Sequence, residues 1–248
     1  MLGKVAVVSG SCSGIGLAIA QELSSRGAHI VINYPFAGLA TEASTAAASL
    51  SGPNLVVEAD LSTVDGPRKL IEAAVRKYKQ IDILVNNAGV AVNLPLEEHT
   101  LEHWDALVNL NGRGTYLLTQ AVLPYLNRGS RIINICSVSS RAPPPLQTIY
   151  AGTKGMVDSF TRVWAKELPP KYGCTVNAVS PGPVATAAFT TLGEDVMKVL
   201  GPTIEATPVE KRMGGPEEVA FAVAFLCEER SRWVNGEHLF VNGGLFID

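Results

Sequence analysis

Residues 9–16 read SGSCSGIG and lie between two segments with different hydrophobic patterns. The segment before them, KVAVV at 4–8, is typical of a buried strand, and LAIAQELSSRG at 17–27 is typical of a helix. A glycine-rich turn from strand to helix predicts a phosphate-binding loop, because glycine permits close backbone approach and the helix N-terminus offers free N–H groups. The spacing Gly10-x3-Gly14-x-Gly16 differs from the usual dinucleotide fingerprint, and the loop contains no lysine or arginine. A plain tight turn therefore stays open as an interpretation.

The composition fits one domain, 1–248, with a large core, since 47% of the 248 residues are hydrophobic and the net charge is −3. No basic run suggests contact with nucleic acid, and no apolar stretch is long enough to span a membrane. The N-terminal sequence enters a strand at once without a signal-peptide layout, so we expect a cytoplasmic protein. Four separated cysteines predict free thiols, and His99 and His103 predict solvated helix surface rather than a metal site.

Strand-like apolar runs alternate with helical patterns along the chain, which predicts a parallel, doubly wound sheet with helices on both faces. The predicted strands are residues 4–9, 29–34, 55–59, 82–86, 131–136, 175–179 and 238–241. The predicted helices are residues 15–26, 38–50, 64–79, 101–127, 150–168 and 216–228. Residues 181–215, rich in Pro, Gly and Thr, predict a long irregular segment with a functional role such as a lid.

Two further turns follow predicted strands, and each has a structural and a functional interpretation. NNAG at 86–89 is either an ordinary turn or a second backbone edge beside a cofactor crevice. Asp60 and Leu61 end the third strand, where an aspartate commonly caps the next helix but could instead contact an adenine ring. In a doubly wound sheet, ligands bind beyond the carboxyl ends of the strands, which is where both turns are expected.

A serine, a tyrosine and a lysine follow the fifth predicted strand at a distinctive spacing. Ser137 comes directly after that strand, Tyr150 lies 13 positions later, and Lys154 lies four positions after Tyr150. On a helix, Tyr150 and Lys154 would lie one turn apart on the same face. A nearby ammonium favours the phenolate form of a tyrosine, which makes the hydroxyl a usable acid or base near neutral pH. A serine hydroxyl close by can bind a carbonyl oxygen.

Taken in order, these motifs resemble the short-chain dehydrogenase/reductase family over residues 3–245. The matching segments are SGSCSGIG, Asp60-Leu61, NNAG, NLNGRG at 109–114, Ser137 with Tyr150-x3-Lys154, PGPVAT at 181–186 and VNGG at 241–244. The glycine loop of that family is similar in spacing to the one seen here. The resemblance implies a three-layer Rossmann-like fold with a seven-stranded parallel sheet, and reversible hydride transfer between NAD(P)H and a carbonyl group.

The resemblance also implies four catalytic residues. Tyr150 would be the general acid in ketone reduction or the base in alcohol oxidation, and Lys154 would support it and bind the nicotinamide ribose. Ser137 would orient the substrate oxygen. Asn111 would hold a water in a proton relay behind Lys154, with Asn109 as a rival for that role and a helix bend as the structural alternative.

The same resemblance implies that a nicotinamide dinucleotide lies along the carboxyl edge of the sheet. The backbone N–H of Val184 and the hydroxyl of Thr186 would meet its carboxamide. The implied cofactor-binding residues are Gly10, Ser11, Ser13, Gly14, Ile15, Gly16, Asn33, Tyr34, Asp60, Leu61, Asn87, Ala88, Gly89, Tyr150, Lys154, Pro181, Gly182, Val184 and Thr186. No metal is implied.

The end of the second strand governs the choice between NAD and NADP. An acid there binds the ribose 2′-hydroxyl of NAD, whereas a basic residue accepts the 2′-phosphate of NADP. Residues 33–36 read NYPF, so no acid occupies the place, and this ending looks like that of NADPH-dependent family members. Against this, neither Ser13 nor Pro35 is basic. NADP(H) is favoured because no acid is present, and NAD(H) stays the alternative.

The residues expected around the substrate suggest a hydrophobic or polyketide-like ketone. Residues 139–145 (SSRAPPP) would form a stiff wall and residues 184–212 a lid. If the substrate were attached to an acyl carrier, the candidates for docking it would be Arg128, Arg131 and Lys171. A homotetramer or homodimer is implied by the resemblance, and the apolar residues 245–247 are expected to be exposed and part of an interface. A catalytically silent cofactor-binding protein, or an enzyme with a less usual reaction such as imine reduction, are the alternatives.

Overall fold

A computed structural model of the chain describes residues 1–190 and 194–248, and within them seven strands form one parallel sheet. The strands are β1 (Val5–Val8), β2 (His29–Tyr34), β3 (Asn54–Glu58), β4 (Ile81–Asn86), β5 (Leu126–Ile135), β6 (Thr175–Pro181) and β7 (His238–Val241). Their order across the sheet is β3-β2-β1-β4-β5-β6-β7, with every neighbouring pair parallel. The predicted Rossmann-like, doubly wound fold with a seven-stranded parallel sheet is therefore confirmed.

The helices cover both faces of this sheet. The α-helices in the described residues are α1 (Gly14–Ser25), α2 (Ala40–Ala48), α3 (Gly66–Tyr78), α4 (Leu101–Leu107), α5 (Thr115–Val122), α6 (Thr148–Glu167), α7 (Pro169–Tyr172), α8 (Ala187–Thr190), α9 (Glu194–Glu205) and α10 (Pro216–Cys227). A π-helix spans Val108–Gly114, and short 3₁₀ helices lie at Ala37–Leu39, Leu96–Glu98, Leu123–Tyr125, Val138–Ser140 and Glu229–Ser231. None of the helices in these two ranges combines the length and hydropathy that a membrane span requires.

Strand β1 shows why the strands are almost continuous in apolar residues. Ala6 and Val8 pack into the layer formed with α1 and α10, whereas Val5 and Val7 pack into the opposite layer with α3, α5 and α6. Because side chains alternate along a strand, a sheet covered on both faces must be apolar at every position. Both layers hold the sheet rigidly beneath the loops at its carboxyl edge.

Two predicted segments differ from the structure. The helix predicted at 101–127 is instead divided into α4, the π-helix, α5 and a 3₁₀ turn that contains Pro124, and β5 already begins at Leu126. Tight contacts accompany the π-helix, since a Cβ on Gly114 would lie 2.6 Å from the Leu61 carbonyl oxygen. The segment 181–215, predicted to be irregular, contains α8 and α9. The described part of the proposed lid is therefore largely helical.

Some side chains that the sequence predicts to be exposed are buried or half-buried in the structure. Arg131 is buried, and its guanidinium donates to the carbonyl oxygens of Gly129 and Glu228, so its prediction as a docking residue was wrong. Among residues 245–247, only Ile247 is exposed. Phe246 is half-buried and packs against the ring of Phe240.

Replacing Gly16 by alanine is expected to lower the Tm by about 3–10 °C, the shift that corresponds to about 1–3 kcal/mol of overpacking in a domain of this size. The added Cβ would lie 2.3 Å from the Gly10 carbonyl oxygen and 2.5 Å from Asn87 Nδ2. Gly152→Ala is the matched control, because nothing lies within 4 Å of its Cβ and alanine favours the helix. Equal Tm values for the two variants in thermal unfolding would contradict this packing.

Candidate active site

The strand order reverses between β1 and β4, and the predicted site residues lie at the carboxyl edge around this point. β1 is followed by residues 9–16, β4 by NNAG, β5 by Ser137, and β6 by PGPVAT. In open parallel sheets this crevice is where ligands bind, because the loops of neighbouring strands diverge there. The topology therefore brings together motifs that are far apart in the sequence.

The glycine-rich loop is fastened to the NNAG turn by hydrogen bonds on both sides. The Ser9 hydroxyl accepts the N–H groups of Asn87 (2.8 Å) and Ala88 (2.9 Å), and Asn87 Nδ2 donates to the carbonyl oxygens of Ser9 (2.8 Å) and Gly10 (3.0 Å). Gly10 has a φ of +59° and Gly14 a φ of +55°, values that favour glycine. The ends of β1 and β4 are thereby held as one unit.

The side chains of Ser11 and Asn33 support this loop from below. Asn33 Oδ1 accepts the Gly10 N–H (3.1 Å), and the Ser11 hydroxyl donates to the Val8 carbonyl oxygen (2.7 Å) and accepts the Asn33 N–H (3.1 Å). Asn33 Nδ2 donates to the Ala59 carbonyl oxygen at 2.9 Å. Both side chains are buried, so their polar groups shape the loop backbone.

The loop leaves the N-terminus of α1 open to an anion. Ser13 is the N-cap residue but its side chain makes no capping hydrogen bond, and the first turn of the helix contains no acidic residue. A phosphate here would meet free N–H groups and the positive end of the helix dipole without competition from a carboxylate. Gly14 is half-buried and has no side chain to cover its backbone, while the buried Gly16 lets the start of α1 pack against Gly10. The loop therefore fits a dinucleotide pyrophosphate.

Lys154 is buried beneath the site and joins α6 to the end of β5. Its Nζ donates to the Ile135 carbonyl oxygen at 2.8 Å and lies 5.8 Å from the centroid of the Tyr150 ring. A Cβ on Gly89 would lie only 3.6 Å from this ammonium, so the glycine leaves room beside it. The ammonium, the tyrosine and the NNAG turn thus border the same space.

Ser137 lies two residues after the end of β5 and caps a 3₁₀ turn. Its Oγ accepts the Ser139 N–H at 3.1 Å, and its side chain is buried. This bond uses one lone pair of the oxygen, and the hydroxyl proton is a separate donor that can be directed at a substrate oxygen.

Asn111 lies in the π-helix and borders the opposite side of the NNAG turn. Its Oδ1 accepts the Val90 N–H at 2.9 Å, and its Nδ2 donates to the Val90 carbonyl oxygen at 2.9 Å and to the Thr153 hydroxyl at 3.0 Å. A Cβ on Gly89 would lie 3.2 Å from Asn111 Oδ1. Of the two asparagines considered, Asn111 makes these contacts beside Lys154.

The remaining predicted cofactor residues line the rim of the crevice. Leu61 is buried, whereas Asp60 is exposed and its Oδ1 accepts the N–H and the hydroxyl of Ser62, so this carboxylate closes its own turn. Ile15 and Tyr34 are half-buried, and Tyr34 lies opposite Glu58 of β3.

Residues 181–186 cover the glycine loop from the β6 side. A Cβ on Gly14 would lie 3.5 Å from Thr186 Cγ2, which shows how closely the two segments approach. Val184 is buried and forms a parallel bridge with Gly214, and the Gly182 N–H donates to the Val241 carbonyl oxygen at 3.0 Å. The base of the lid is therefore fixed at both ends, at Val184 and at Gly214.

Comparison with known proteins places this geometry in one family. A family model described as enoyl-(acyl carrier protein) reductase matches residues 10–246. The short-chain dehydrogenase/reductase FrzI of Cladobotryum sp. is 40% identical, with 99% of this chain and 96% of that protein covered. The chain belongs to the short-chain dehydrogenase/reductase family.

Two further relatives of this dehydrogenase/reductase have names that state a reaction. A 3-oxoacyl-[acyl-carrier-protein] reductase of Synechocystis sp. is 36% identical over 100% of this chain and 98% of its own. The hydroxynaphthalene reductase arp2 of Aspergillus fumigatus is 34% identical, with 95% of this chain and 89% of that protein covered. The chain is an oxidoreductase of this family.

Solved structures with the same fold include two that contain a cofactor. A blue fluorescent protein from a metagenomic library, in complex with NADPH, has a TM-score of 0.91 and 33% identity, with 99% of both chains covered. A short-chain dehydrogenase from Burkholderia cenocepacia, in complex with NADP, has a TM-score of 0.90 and 31% identity, with 98% of both chains covered.

Sequence reasoning missed a polar cluster behind the site of this dehydrogenase/reductase. His238 Nδ1 lies 3.0 Å from Asp158 Oδ1, and its Nε2 contacts the Ser180 hydroxyl. The Cys136 thiol, directly before Ser137, donates to the Lys154 carbonyl oxygen at 3.1 Å. These residues come from α6, β6, β7 and the residue after β5, so no local pattern reveals the cluster.

The cluster borders a cavity of about 600 Å³ beside β7 and the C-terminal segment, away from the glycine loop. Arg141 and Arg162 both contact Asp158 Oδ2, at 3.0 and 2.5 Å, and Arg141 also reaches Asp248. Within residues 1–190 and 194–248, no group of three His, Cys, Asp or Glu side chains is arranged to hold a metal ion.

Two opposing effects set the pKa of His238. Burial alone would lower it, but the hydrogen bond and charge of Cys136 and the negative charge of Asp158 outweigh burial and raise the pKa above 6.5. For the Cys136 thiol, burial opposes ionisation, yet the hydrogen bond to His238 and the charge of Lys154 bring its pKa below 9.0. The two groups therefore favour charged forms in each other's presence.

His238→Gln is expected to reduce stability most at low pH. A group whose pKa is raised by folding stabilises the protein fully below its unfolded pKa of about 6.5, and this contribution is lost as the pH rises through the folded value. The difference in Tm between wild type and variant should therefore shrink from about pH 5.5 towards pH 8. Thermal unfolding across this range provides the test. The variant keeps the other charged residues around His238, which are Asp158, Arg141, Arg162 and Asp248. A difference that grows with pH would contradict the assignment.

Proposed function

We propose that this chain is an NADP(H)-dependent oxidoreductase that reduces a ketone to a secondary alcohol, with Tyr150 as the acid and Ser137, Lys154 and Asn111 in support. The observation that carries the proposal is the convergence of Asn111, Lys154 and Tyr150 beside the opening left by Gly89. Ser137 lies two residues after Ile135, whose carbonyl oxygen holds the Lys154 ammonium. When bound, NADPH supplies the hydride.

The residues of the chain then provide binding and proton transfer. The Ser137 hydroxyl donates to the substrate carbonyl oxygen, while its own oxygen accepts the Ser139 N–H and is held in place by it. Tyr150 gives its proton to the same oxygen as negative charge develops there. The Lys154 ammonium, held by the Ile135 carbonyl oxygen near the Tyr150 ring, stabilises the tyrosinate that remains.

Asn111 acts behind this pair. One oxygen lone pair and both amide protons are used on Val90 and Thr153, so Oδ1 keeps one further lone pair for a water molecule. Such a water would connect Lys154 to solvent and return the proton to Tyr150 after each turnover. This assignment rests on the contacts of Asn111 and on its match to the family motif.

For the cofactor, the pyrophosphate would lie against Gly10, Gly14, Gly16 and the N-terminus of α1. Ser11 and Asn33 would hold that loop in shape rather than touch the cofactor through their side chains. Asn87 would keep the NNAG turn beside the loop, and the main chain of residues 181–186 would cover the nicotinamide.

NADP(H) is preferred over NAD(H) in this proposal because no acid occupies the end of β2, where Tyr34 stands. The NADPH and NADP complexes among the structural relatives support the same choice. The loop carries no basic side chain, so the preference comes from the absence of repulsion at Tyr34 and from hydrogen bonds rather than from an ion pair.

The substrate of the proposed reaction is a hydrophobic or polyketide-like ketone. The names of the hydroxynaphthalene and 3-oxoacyl reductases among the relatives support a carbonyl next to an extended carbon skeleton. Pro143, Pro144 and Pro145, five to seven residues before Tyr150, would form a stiff wall of the site, because proline restricts the backbone.

The enzyme is also proposed to be a homotetramer or homodimer. Helices α5 and α6 expose Tyr116, Met156 and Val163, and the ring of Tyr116 lies 6.2 Å from that of Phe160. Apolar side chains grouped in this way are costly to leave in water. A second copy of the chain would cover them.

Tyr150→Phe is expected to lower kcat for ketone reduction by about 10³-fold or more, since the proton donor is lost while the ring is kept. NADPH consumption followed at 340 nm with a panel of apolar ketones measures the change. NADPH should bind the variant and the wild type alike in fluorescence titrations, which separates lost chemistry from lost binding. Equal turnover of the panel by both proteins would overturn the role of Tyr150.

For the cofactor preference, kcat/KM with NADPH is expected to exceed that with NADH by about tenfold or more, which corresponds to about 1.4 kcal/mol. Steady-state kinetics with one ketone at a fixed concentration and each cofactor varied gives the ratio. A ratio below one would show that the enzyme prefers NAD(H).

A further inference from the structure

Residues 90–94 form a strap along one side of the candidate active site. At one end, the Val90 backbone exchanges two hydrogen bonds of 2.9 Å with the Asn111 side chain. At the other end, the Leu94 N–H donates to the Leu146 carbonyl oxygen at 3.0 Å, four residues before Tyr150. The strap therefore spans the distance between the π-helix and the loop that leads into α6.

A chain of three hydrogen bonds leads from this strap to Ser137. Gln147 Nε2 donates to Asn93 Oδ1 at 3.0 Å, and the Ser139 hydroxyl donates to Gln147 Oε1 at 2.7 Å. The Ser139 N–H donates to Ser137 Oγ at 3.1 Å. Ser139 and Gln147 are buried, so these polar groups depend on one another for partners.

Burial fixes the direction of this chain. The Ser139 hydroxyl needs an acceptor, and Gln147 Oε1 is the acceptor placed within reach. The Gln147 amide nitrogen then points to Asn93, whose oxygen must accept, so the Asn93 amide nitrogen faces the other way. Among residues 1–190 and 194–248, no acceptor is bound to Asn93 Nδ2, and the side chain is half-exposed.

We propose that Asn93 is a specificity-determining residue whose carboxamide N–H binds a second, non-reacting oxygen of the substrate. The site would then favour ketones with a hydrogen-bond-accepting oxygen close to the reacting carbonyl, as in a β-keto ester. A site built around a fixed donor discriminates against analogues that lack the acceptor, because the donor is left unpaired in their complexes. This inference rests on the proposed ketone reduction.

Gln147 and Ser139 are positioning residues in the same proposal. They hold the Asn93 donor at one end and the Ser137 oxygen at the other. The distance between the groups that bind the two substrate oxygens would therefore be fixed. Loss of this frame should affect the reduction of every ketone, whereas loss of the Asn93 donor should affect only those with the second oxygen.

The experiment compares ethyl acetoacetate with methyl pentyl ketone, which has a similar length but no ester group. For Asn93→Asp, kcat/KM is expected to fall about tenfold for ethyl acetoacetate and to change less than about twofold for methyl pentyl ketone. Asn93→Ala, which also removes the acceptor for Gln147, is expected to lower kcat/KM for both ketones. Asn93→Asp is the decisive variant, because it keeps the acceptor for Gln147 and removes the donor. For each ketone, kcat/KM of the variant is divided by that of the wild type. Comparing these two ratios removes the intrinsic difference in reactivity between the ketones.

Binding to the Tyr150→Phe variant separates this inference from the proposed reaction. In its NADP⁺ complex, calorimetry should show tighter binding of ethyl acetoacetate than of methyl pentyl ketone, and adding Asn93→Asp should abolish the difference. Equal losses for both ketones, or wild-type values for Asn93→Asp, would overturn the role of Asn93. The proposed reduction would instead fail if Tyr150→Phe turned over ketones like the wild type, whatever Asn93 does.

Discussion

The burial of the Lys154 ammonium is the constraint on which the arrangement of the site depends. A buried ammonium must find hydrogen-bond acceptors, because leaving a charge unpaired in the interior is very costly. The Ile135 carbonyl oxygen meets this need at 2.8 Å, and this bond fixes α6 against the end of β5. Ser137 follows that strand end and Tyr150 lies one helical turn before Lys154, so one polar contact sets the relative positions of all three.

Hydrogen bonds from side chains to neighbouring turns complete the other side of the site. The Asn87 side chain and the Ser9 hydroxyl join the turns after β4 and β1, while Asn111 joins the strap to α6 through Thr153. Gly16 and Gly89 leave the space in which these segments approach each other. The turns around the site are therefore held together by hydrogen bonds between polar side chains and the neighbouring segments.

The sequence predicts the sheet well because strands buried on both faces are apolar at nearly every position, as β1 is. It also predicts Ser137, Tyr150 and Lys154, since their spacing along one strand end and one helix is local information. It does not predict the π-helix at 108–114 or the helices within 181–215, because close packing against distant residues decides these. Gly114 against Leu61 is one such contact.

Some polar side chains near the site were not predicted, because their partners are distant in the sequence. His238 and Asp158 are 80 positions apart and Asn93 and Gln147 are 54 apart, so their pairing follows from the topology and not from any motif. Each residue alone is unremarkable in the sequence. Only the fold shows that the first pair joins β7 to α6 and that the second joins the strap to the residue before α6.

Hydride transfer between a bound nicotinamide and a ketone is the central claim, and deuterium labelling tests it most directly. The enzyme would be given an apolar ketone and NADPH that carries deuterium at the transferable position of the nicotinamide ring. Mass spectrometry should find one deuterium per molecule of alcohol, attached to the carbinol carbon. Alcohol without deuterium, or no alcohol from any ketone while NADPH binds normally, would contradict the account.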